Sequence, residues 1–373
     1  KEIAIDLETK DPDLIKMGSG SVTGNGHVTG IAVAVEGWSA YYPIAHEGGG
    51  NMDPTRVISW FRDVMRTNAT KIFHNAMYDM SWIITLGIPE INGRVVDTMI
   101  ATALVDENRR RYDLNSCTRE YIGKGKDESV LYATAKEWGV DPKAEMYKLP
   151  AMYVGSYAEK DAEITLELWN YLKQEIMNQD LEAIFKLETD LFPCLVAMRH
   201  KGVRVDEELA HKYKKELVDK ENKLLEKVKK ETDVKVQIWA ARSIAQVFDK
   251  LKIHYDRTEK TNAPSFTKNF LSNHPHPLVK LIAQAREINK AHTTFIDTIL
   301  KHAHQGKIYS EINQLRSDNG GTVTGRFSYA HPNLQQIPAR NKELGPMIRS
   351  LFLPDEGCKW GCFDYNQQEP RLV

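Results

Sequence analysis

Close to its start the chain carries Ile-Ala-Ile-Asp-Leu-Glu-Thr, residues 3–9, an apolar run of strand type with acids at Asp6 and Glu8. Side chains two apart on a strand share a face. The run therefore places two carboxylates side by side at the edge of a core. Like charges that close disfavour each other unless a cation lies between them. A hard divalent cation such as Mg²⁺, which prefers oxygen ligands, fills that role. Taken alone, the pair reads better as a strand end running into a polar loop, with both acids solvated.

Two later segments change the balance. Asn75 and Asp79 stand four apart in Phe73-His-Asn-Ala-Met-Tyr-Asp79, after the short apolar strand 71–73. Tyr157 and Asp161 stand four apart inside a helix-like pattern. A spacing of four puts two side chains on one helix face. Singly, the first pair reads as a helix start and the second as a surface pair. Together with Asp6 and Glu8 they make four carboxylates and a phenol, the parts of a two-metal phosphodiester hydrolase.

These residues carry a resemblance. Asp6-x-Glu8, Asn75-x3-Asp79 and Tyr157-x3-Asp161 resemble the three motifs of the DEDDy 3′–5′ exonucleases, and the stretch 157–168, YAEKDAEITLEL, is similar to the third motif of the proofreading domain of family A DNA polymerases. The resemblance implies catalytic roles for Asp6, Glu8, Asp79, Tyr157 and Asp161, and two Mg²⁺ (or Mn²⁺) ions. Asp6, Glu8 and Asp161 would hold one ion. Asp6 would bridge to the second, with Asp79 contributing through water. Tyr157 would orient the attacking water, and Asn75 would position the DNA strand.

With 373 residues, 42% of them hydrophobic, the chain has material for two or three globular domains. Its net charge of −1 excludes a polycation, so nucleic-acid binding must rest on local basic patches. Cys117, Cys194, Cys358 and Cys362 suit a reducing compartment. Cys358 and Cys362 lie close together but lack a second Cys/His pair, so they read as core strand residues rather than zinc ligands. No signal peptide and no apolar run of membrane-spanning length is seen. A cytoplasmic location, in a bacterium or a phage-infected cell, follows as the expectation. The chain opens on Lys1 and enters a strand at once, which reads as a trimmed or processed product.

Along the chain, residues 1 to about 185 alternate strands and helices, an α/β pattern. The stretches 31–35 and 40–44 flank Gly37 as a hairpin. The stretch 18–26, rich in Gly and Ser, reads as a flexible surface insertion, because it lacks the strand–GxGxxG–helix order of a phosphate cradle. Gly48 to Gly50 read likewise. Asp97-Thr98 reads as a helix cap, and 123–129 as a polar loop that a DNA strand could approach. Helices are expected over 156–178, 187–202, 207–230, 239–251 and 276–299. A strand is expected over 307–312 and another over 360–364, with Asp364 at its end. Arg326, Asn333 and Gln336 lie in donor-rich turns suited to phosphate or minor-groove contacts.

The later segments extend the resemblance. Thr324 to Ser328 and Asn333 to Pro338 are similar to family A segments, and 364–371 is similar to motif A, with Asn366, Gln368 and Pro370 departing from the usual pattern. Asp364 would be a metal ligand, with Gln367, Glu369 and Arg371 beside it. Pro370 fits the first turn of a helix, where a missing N–H costs little. The fold class implied is α/β: an RNase H-like exonuclease domain with a mixed sheet and flanking helices over 1–186, then a mainly helical thumb and a partial α+β palm. The palm would start at 187–206, the thumb would span 207–300, and the palm would resume over 301–373. Fingers and the second acidic motif would lie beyond motif A. Polymerisation is therefore expected only if a second polypeptide supplies them, as in a phage-type split polymerase, a truncated chain being the plainer alternative. An unpaired strand edge over 359–365 would be the joining surface. Expected partners are DNA, as primer-template and single-stranded 3′ end, and that second chain. Two other readings stand beside this one: a DEDDy exoribonuclease, and a non-catalytic DNA-binding assembly subunit.

Overall fold

The computed structural model describes residues 1–318, 320–339 and 341–372. Val373, the last residue of the expected palm segment, lies outside them. The described chain packs as two compact units. Lys1–Gly202 with Tyr309–Gln335 form the first, and Val203–Ile308 with the residues from Gln336 onward form the second.

The first unit is built on a mixed five-stranded sheet. Its strands are β1 (Glu2–Lys10), β2 (His27–Val35), β3 (Trp38–Pro43), β4 (Thr70–Phe73) and β5 (Val95–Asp97), in the order β3-β2-β1-β4-β5. β1 pairs antiparallel with β2 and parallel with β4. It is the central strand, and its apolar Ala4, Ile5 and Leu7 are buried. β2 and β3 form the expected hairpin, turning at Gly37 with φ 78°. The crossover to β4 carries the helix Pro54–Arg66, and β4 reaches β5 through the helix Ala76–Thr85. The first of these starts on Asp53, whose carboxylate accepts from Thr55 and Arg56 N–H, with Pro54 in its first turn. Its stripe Val57, Phe61 and Met65, spaced by four, is buried.

The long helix Ala151–Asn178 lies across β1, β2 and β3. It starts five residues before the expected position, directly after Pro150. Ala158 and Ala162 are fully buried. Their small side chains let the helix axis approach the sheet at the level of Asp6 and Glu8.

The Gly/Ser stretch is not the flexible insertion expected. Gly18, Ser19, Gly20 and Ser21 are buried. Ser19 N–H donates to Glu311 Oε1 (3.0 Å) and Gly20 N–H to Asp11 Oδ1 (3.0 Å). The glycines permit close approach: a Cβ on Gly20 would lie 1.9 Å from the Asn25 carbonyl oxygen. Glu311 also pairs with Arg199 at 2.7 Å and opens a small hairpin, Glu311–Asn313 with Ser328–Ala330.

Several expected elements are divided. The helix over 187–202 is two, Glu182–Asp190 and Phe192–Lys201. Pro193 has no N–H to give to an earlier turn, so it belongs at a new helix start. The strand over 307–312 is two short ones, Lys307–Ile308 and Glu311–Asn313, in different sheets.

The second unit holds a small antiparallel sheet of Phe352–Leu353, Val203–Val205 and Lys307–Ile308. Its longest element is the helix Glu207–Thr232, capped by Asp206, with acids in the first turn and lysines in the last, as the helix dipole favours. Its core gathers Val228, Ile244, Val247, Phe248, Leu271, Val279 and Ile282. The helix expected over 276–299 is Pro277–Lys290, a π-helical stretch Ala291–Ile296, and Asp297–His302. The π stretch carries buried His292, whose Nε2 lies 2.6 Å from Glu221 Oε2.

The expected strand over 360–364 is absent. These residues have no regular structure and are exposed, as are Cys358 and Cys362, which are therefore not core residues. A strand persists only against a hydrogen-bonded neighbour, and no described residue pairs with this stretch. The strand edge expected as a joining surface is thus not formed. Pro370 does sit in the first turn of a short helix, Gln368–Leu372.

Candidate active site

Asp6 and Glu8 project from one face of β1. The strand is irregular just there: Glu8 stands opposite Gly30, but Thr9 stands opposite Val28, leaving Thr29 as the extra residue of a bulge. Across from them, Asp161 comes from the middle of the long helix. One carboxylate oxygen from each of Asp6, Glu8 and Asp161 lies within 4.8 Å of the other two. Tyr157 is one helical turn before Asp161 on the same face.

Asp79 comes from the first turn of the helix Ala76–Thr85 and is 4% exposed. Its Oδ1 accepts the N–H of Leu7 at 3.1 Å, which fastens it to β1 between the two strand acids. Asn75 precedes that helix in a left-handed conformation, φ 73°. Asp97 holds this turn: it accepts from the N–H groups of Asn75 (2.9 Å) and Ala76 (2.8 Å) as well as capping Met99 (2.8 Å). The sequence marks Asp97 only as a cap; its bonds to the other helix follow from the adjacency of β4 and β5.

The carboxylates share a cleft of about 770 Å³, which Asp6, Glu8, Asn75, Asp79, Tyr157 and Asp161 all line. Burial first, then the charge of Asp161, pushes Asp6 up to about 7, with Lys126 opposing. Glu8 and Asp79 are likewise raised by burial, then by Asp6. Burial raises Tyr157 as well, so its hydroxyl keeps its proton. Asp161 is raised by burial against the opposing charge of Lys126, and its Oδ1 is buried without a hydrogen-bond partner among the described residues. An oxygen-only donor set, mutually repelling and with one oxygen unsatisfied, fits hard divalent cations.

Two neighbours escaped the sequence reading as site residues. Lys126 reaches Asp161 Oδ2 at 2.5 Å. His74 lies at the cleft wall, its Nε2 2.8 Å from the Tyr112 carbonyl and its Nδ1 2.8 Å from Thr98 Oγ1. Neither carries a periodic signal. Lys126 belongs to a polar loop, and His74 stands at a strand end where a satisfied core histidine is the ordinary reading.

The remaining expected residues lie elsewhere. Arg326 and Asn333 occupy exposed loops of the first unit, and Gln336 ends an exposed 3₁₀ turn. Asp364, Gln367, Glu369 and Arg371 are exposed in the second unit. No helix among the described residues is long and apolar enough to cross a membrane.

Residues 1–177 match the family model described as 3′–5′ exonuclease, and residues 207–373 the one described as DNA polymerase family A. A DNA-directed DNA polymerase of Pseudomonas phage M6 is 36% identical over 387 residues, covering 100% of this chain and 58% of the relative. DNA polymerase DpoZ of Salmonella phage PMBT28 is 31% identical, covering 100% of this chain and 61% of the relative. DNA polymerase I of Pseudomonas aeruginosa is 27% identical, covering 100% and 40%. The chain thus spans about three fifths of the length of the phage relatives. Among solved structures, the POL domain of Pol1 from M. smegmatis, in complex with DNA primer-template and dNTP, has the same fold. Its TM-score is 0.72 at 21% identity, over 95% of this chain and 55% of that one. The N-terminal part of the chain thus matches the 3′–5′ exonucleases over residues 1–177, and residues 207–373 match DNA polymerase family A.

Proposed function

We propose that the first unit hydrolyses DNA from its 3′ end, releasing nucleoside 5′-monophosphates, as the proofreading nuclease of a DNA polymerase. The observation that carries this reading is the convergence of Asp6, Glu8 and Asp161 in one cleft, with Asp79 fastened beside them. Asp6, Glu8 and Asp161 would hold one Mg²⁺ or Mn²⁺ ion, and Asp6 with Asp79 a second. Bound there, such ions supply charge stabilisation to the phosphate and the leaving 3′ oxygen and lower the pKa of water. Tyr157, protonated, orients the attacking water by a hydrogen bond. Asn75, fixed by Asp97, steadies the strand that enters. A frayed, mispaired end reaches such a cleft more readily than a paired one, which is the physical basis of proofreading.

The division that best suits this reading is an exonuclease domain over 1–186, a palm start at 187–206, a thumb over 207–300 and further palm over 301–373. Arg326, Asn333 and Gln336 would contact the primer-template backbone or minor groove. Asp364 would be a carboxylate of a polymerase metal site, with Gln367, Glu369 and Arg371 near the nucleotide. Polymerisation would belong to the larger whole that the relatives span, carried on one polypeptide or completed by a second.

The test is D6A/E8A on a 5′-labelled primer. The wild-type chain with Mg²⁺ should shorten it, and the variant should not. The variant should keep its far-UV spectrum and melt no lower in EDTA, since two mutually repelling acids are gone. Hydrolysis retained by the variant would refute the site. An RNA strand of the same sequence, trimmed faster than DNA, would favour the exoribonuclease reading instead.

A further inference from the structure

Lys126 sits in the loop between the helices Leu114–Ile122 and Ser129–Trp138, yet its side chain is only 12% exposed. Its ammonium lies 2.5 Å from Asp161 Oδ2, 3.4 Å from the Tyr157 hydroxyl and 5.1 Å from the Tyr157 ring centre. The loop is built to deliver it. Gly123 turns with φ 67°, Lys124 pairs with Glu167 of the long helix at 2.7 Å, and Lys126 N–H donates to Asn115 Oδ1 at 3.1 Å. A Cβ on Gly125 would lie 2.8 Å from Arg119 Nε, so the loop closes tightly on the helix before it. An interior lysine costs a great deal to bury unless it neutralises something, and here it meets the carboxylate that also belongs to the triad.

We infer that Lys126 is the site's own counter-cation, holding Asp161 in place and competing with divalent ions for the triad. This rests on reading Asp6, Glu8 and Asp161 as a metal site. An ammonium and a divalent cation on one carboxylate repel strongly in a cleft sheltered from water. Loading of an ion therefore requires the lysine to withdraw, and the lysine sets the ion concentration at which the site fills. Lys126 is a positioning residue, acting through Asp161.

The test uses the whole chain and two readouts other than activity: Mn²⁺ titration by calorimetry, and thermal melting in EDTA. K126M should bind Mn²⁺ about tenfold more tightly than wild type, within the range by which neighbours of metal ligands shift affinity. In EDTA it should melt lower than wild type. K126R, which keeps the charge, should restore wild-type melting. In a D161N background the K126M change should no longer lower the melting point, an outcome that mere loss of packing would not give. Equal or weaker Mn²⁺ binding by K126M, or an equal drop in the D161N background, would overturn the inference while leaving the metal site standing. Absence of Mn²⁺ binding by the wild-type chain would overturn both.

Discussion

Acids that repel one another are held together here by neighbours that do no chemistry. Leu7 N–H holds Asp79, Asp97 holds the turn at Asn75, and Lys126 holds Asp161. His74 illustrates how such neighbours tie the site to pH. Burial first, then the nearby Lys126, lowers it from its ordinary 6.5 to about 4. The unfolded chain thus takes up a proton near pH 6.5 that the folded chain refuses until about pH 4. Stability from this group is full above 6.5 and is lost as pH falls towards 4, by up to about 3 kcal/mol at 1.36 kcal/mol per unit. Asp11 and Asp97, each raised by burial to about 6, act in the opposite sense over a similar range. The comparison to make is therefore with H74N: its melting temperature should fall less than that of wild type between pH 6.5 and 4. Parallel profiles would contradict the assignment. The side chains that the structure brings together are mostly legible in the sequence, because strand and helix spacings fix which side chains share a face. Lys126 was not, since a loop residue has no period and its contact with Asp161 lies 35 residues away along the chain.

At the scale of elements, the bulge at Thr29 and the packing of Gly30 set the pose of Glu8. A Cβ on Gly30 would lie 2.0 Å from the Tyr41 hydroxyl and 2.2 Å from its ring. Tyr41 has little room to yield, because its hydroxyl is 2.6 Å from His46 Nε2. G30A should therefore destabilise the chain by about 1–3 kcal/mol, the usual range for overpacking. It should also slow 3′-end hydrolysis by shifting Glu8 opposite it. A variant as stable and active as wild type would show that β2 has slack. Elements with long periodic patterns, such as the helices Glu207–Thr232 and Ala151–Asn178, were legible to within two and five residues at their ends. The stretch over 360–364 was not. Its apolar residues suit a strand, but strand formation depends on a pairing neighbour that local sequence does not reveal. The Gly/Ser stretch misled for a related reason: glycine marks both flexible loops and places where backbones pack closely.

At the scale of the molecule, the two units have separate cores. All the acids of the cleft belong to the first unit, whereas Phe248, fully buried among Phe266, Phe270 and Tyr255, anchors the second. F248A should cost about 3–5 kcal/mol. Hydrogen exchange should show the loss in the helices Glu207–Thr232 and Ala241–Leu251 and not in β1–β5. Trimming of single-stranded DNA should be unchanged, and a matching loss of protection in the sheet would argue against separate cores. The mixed sheet, the helical second unit and their order along the chain all followed from pattern and resemblance. The return of Tyr309–Gln335 to the first unit did not, because it depends on distant partners such as Arg199 and Glu188.

The most direct measurement is a 5′-labelled DNA primer, mispaired at its 3′ end and annealed to a template, incubated with the chain and Mg²⁺. Stepwise shortening from the 3′ end is expected, with nucleoside 5′-monophosphates as products, lost in D6A/E8A and stopped by EDTA. An intact primer with the wild-type chain, or equal shortening by the variant, would contradict it.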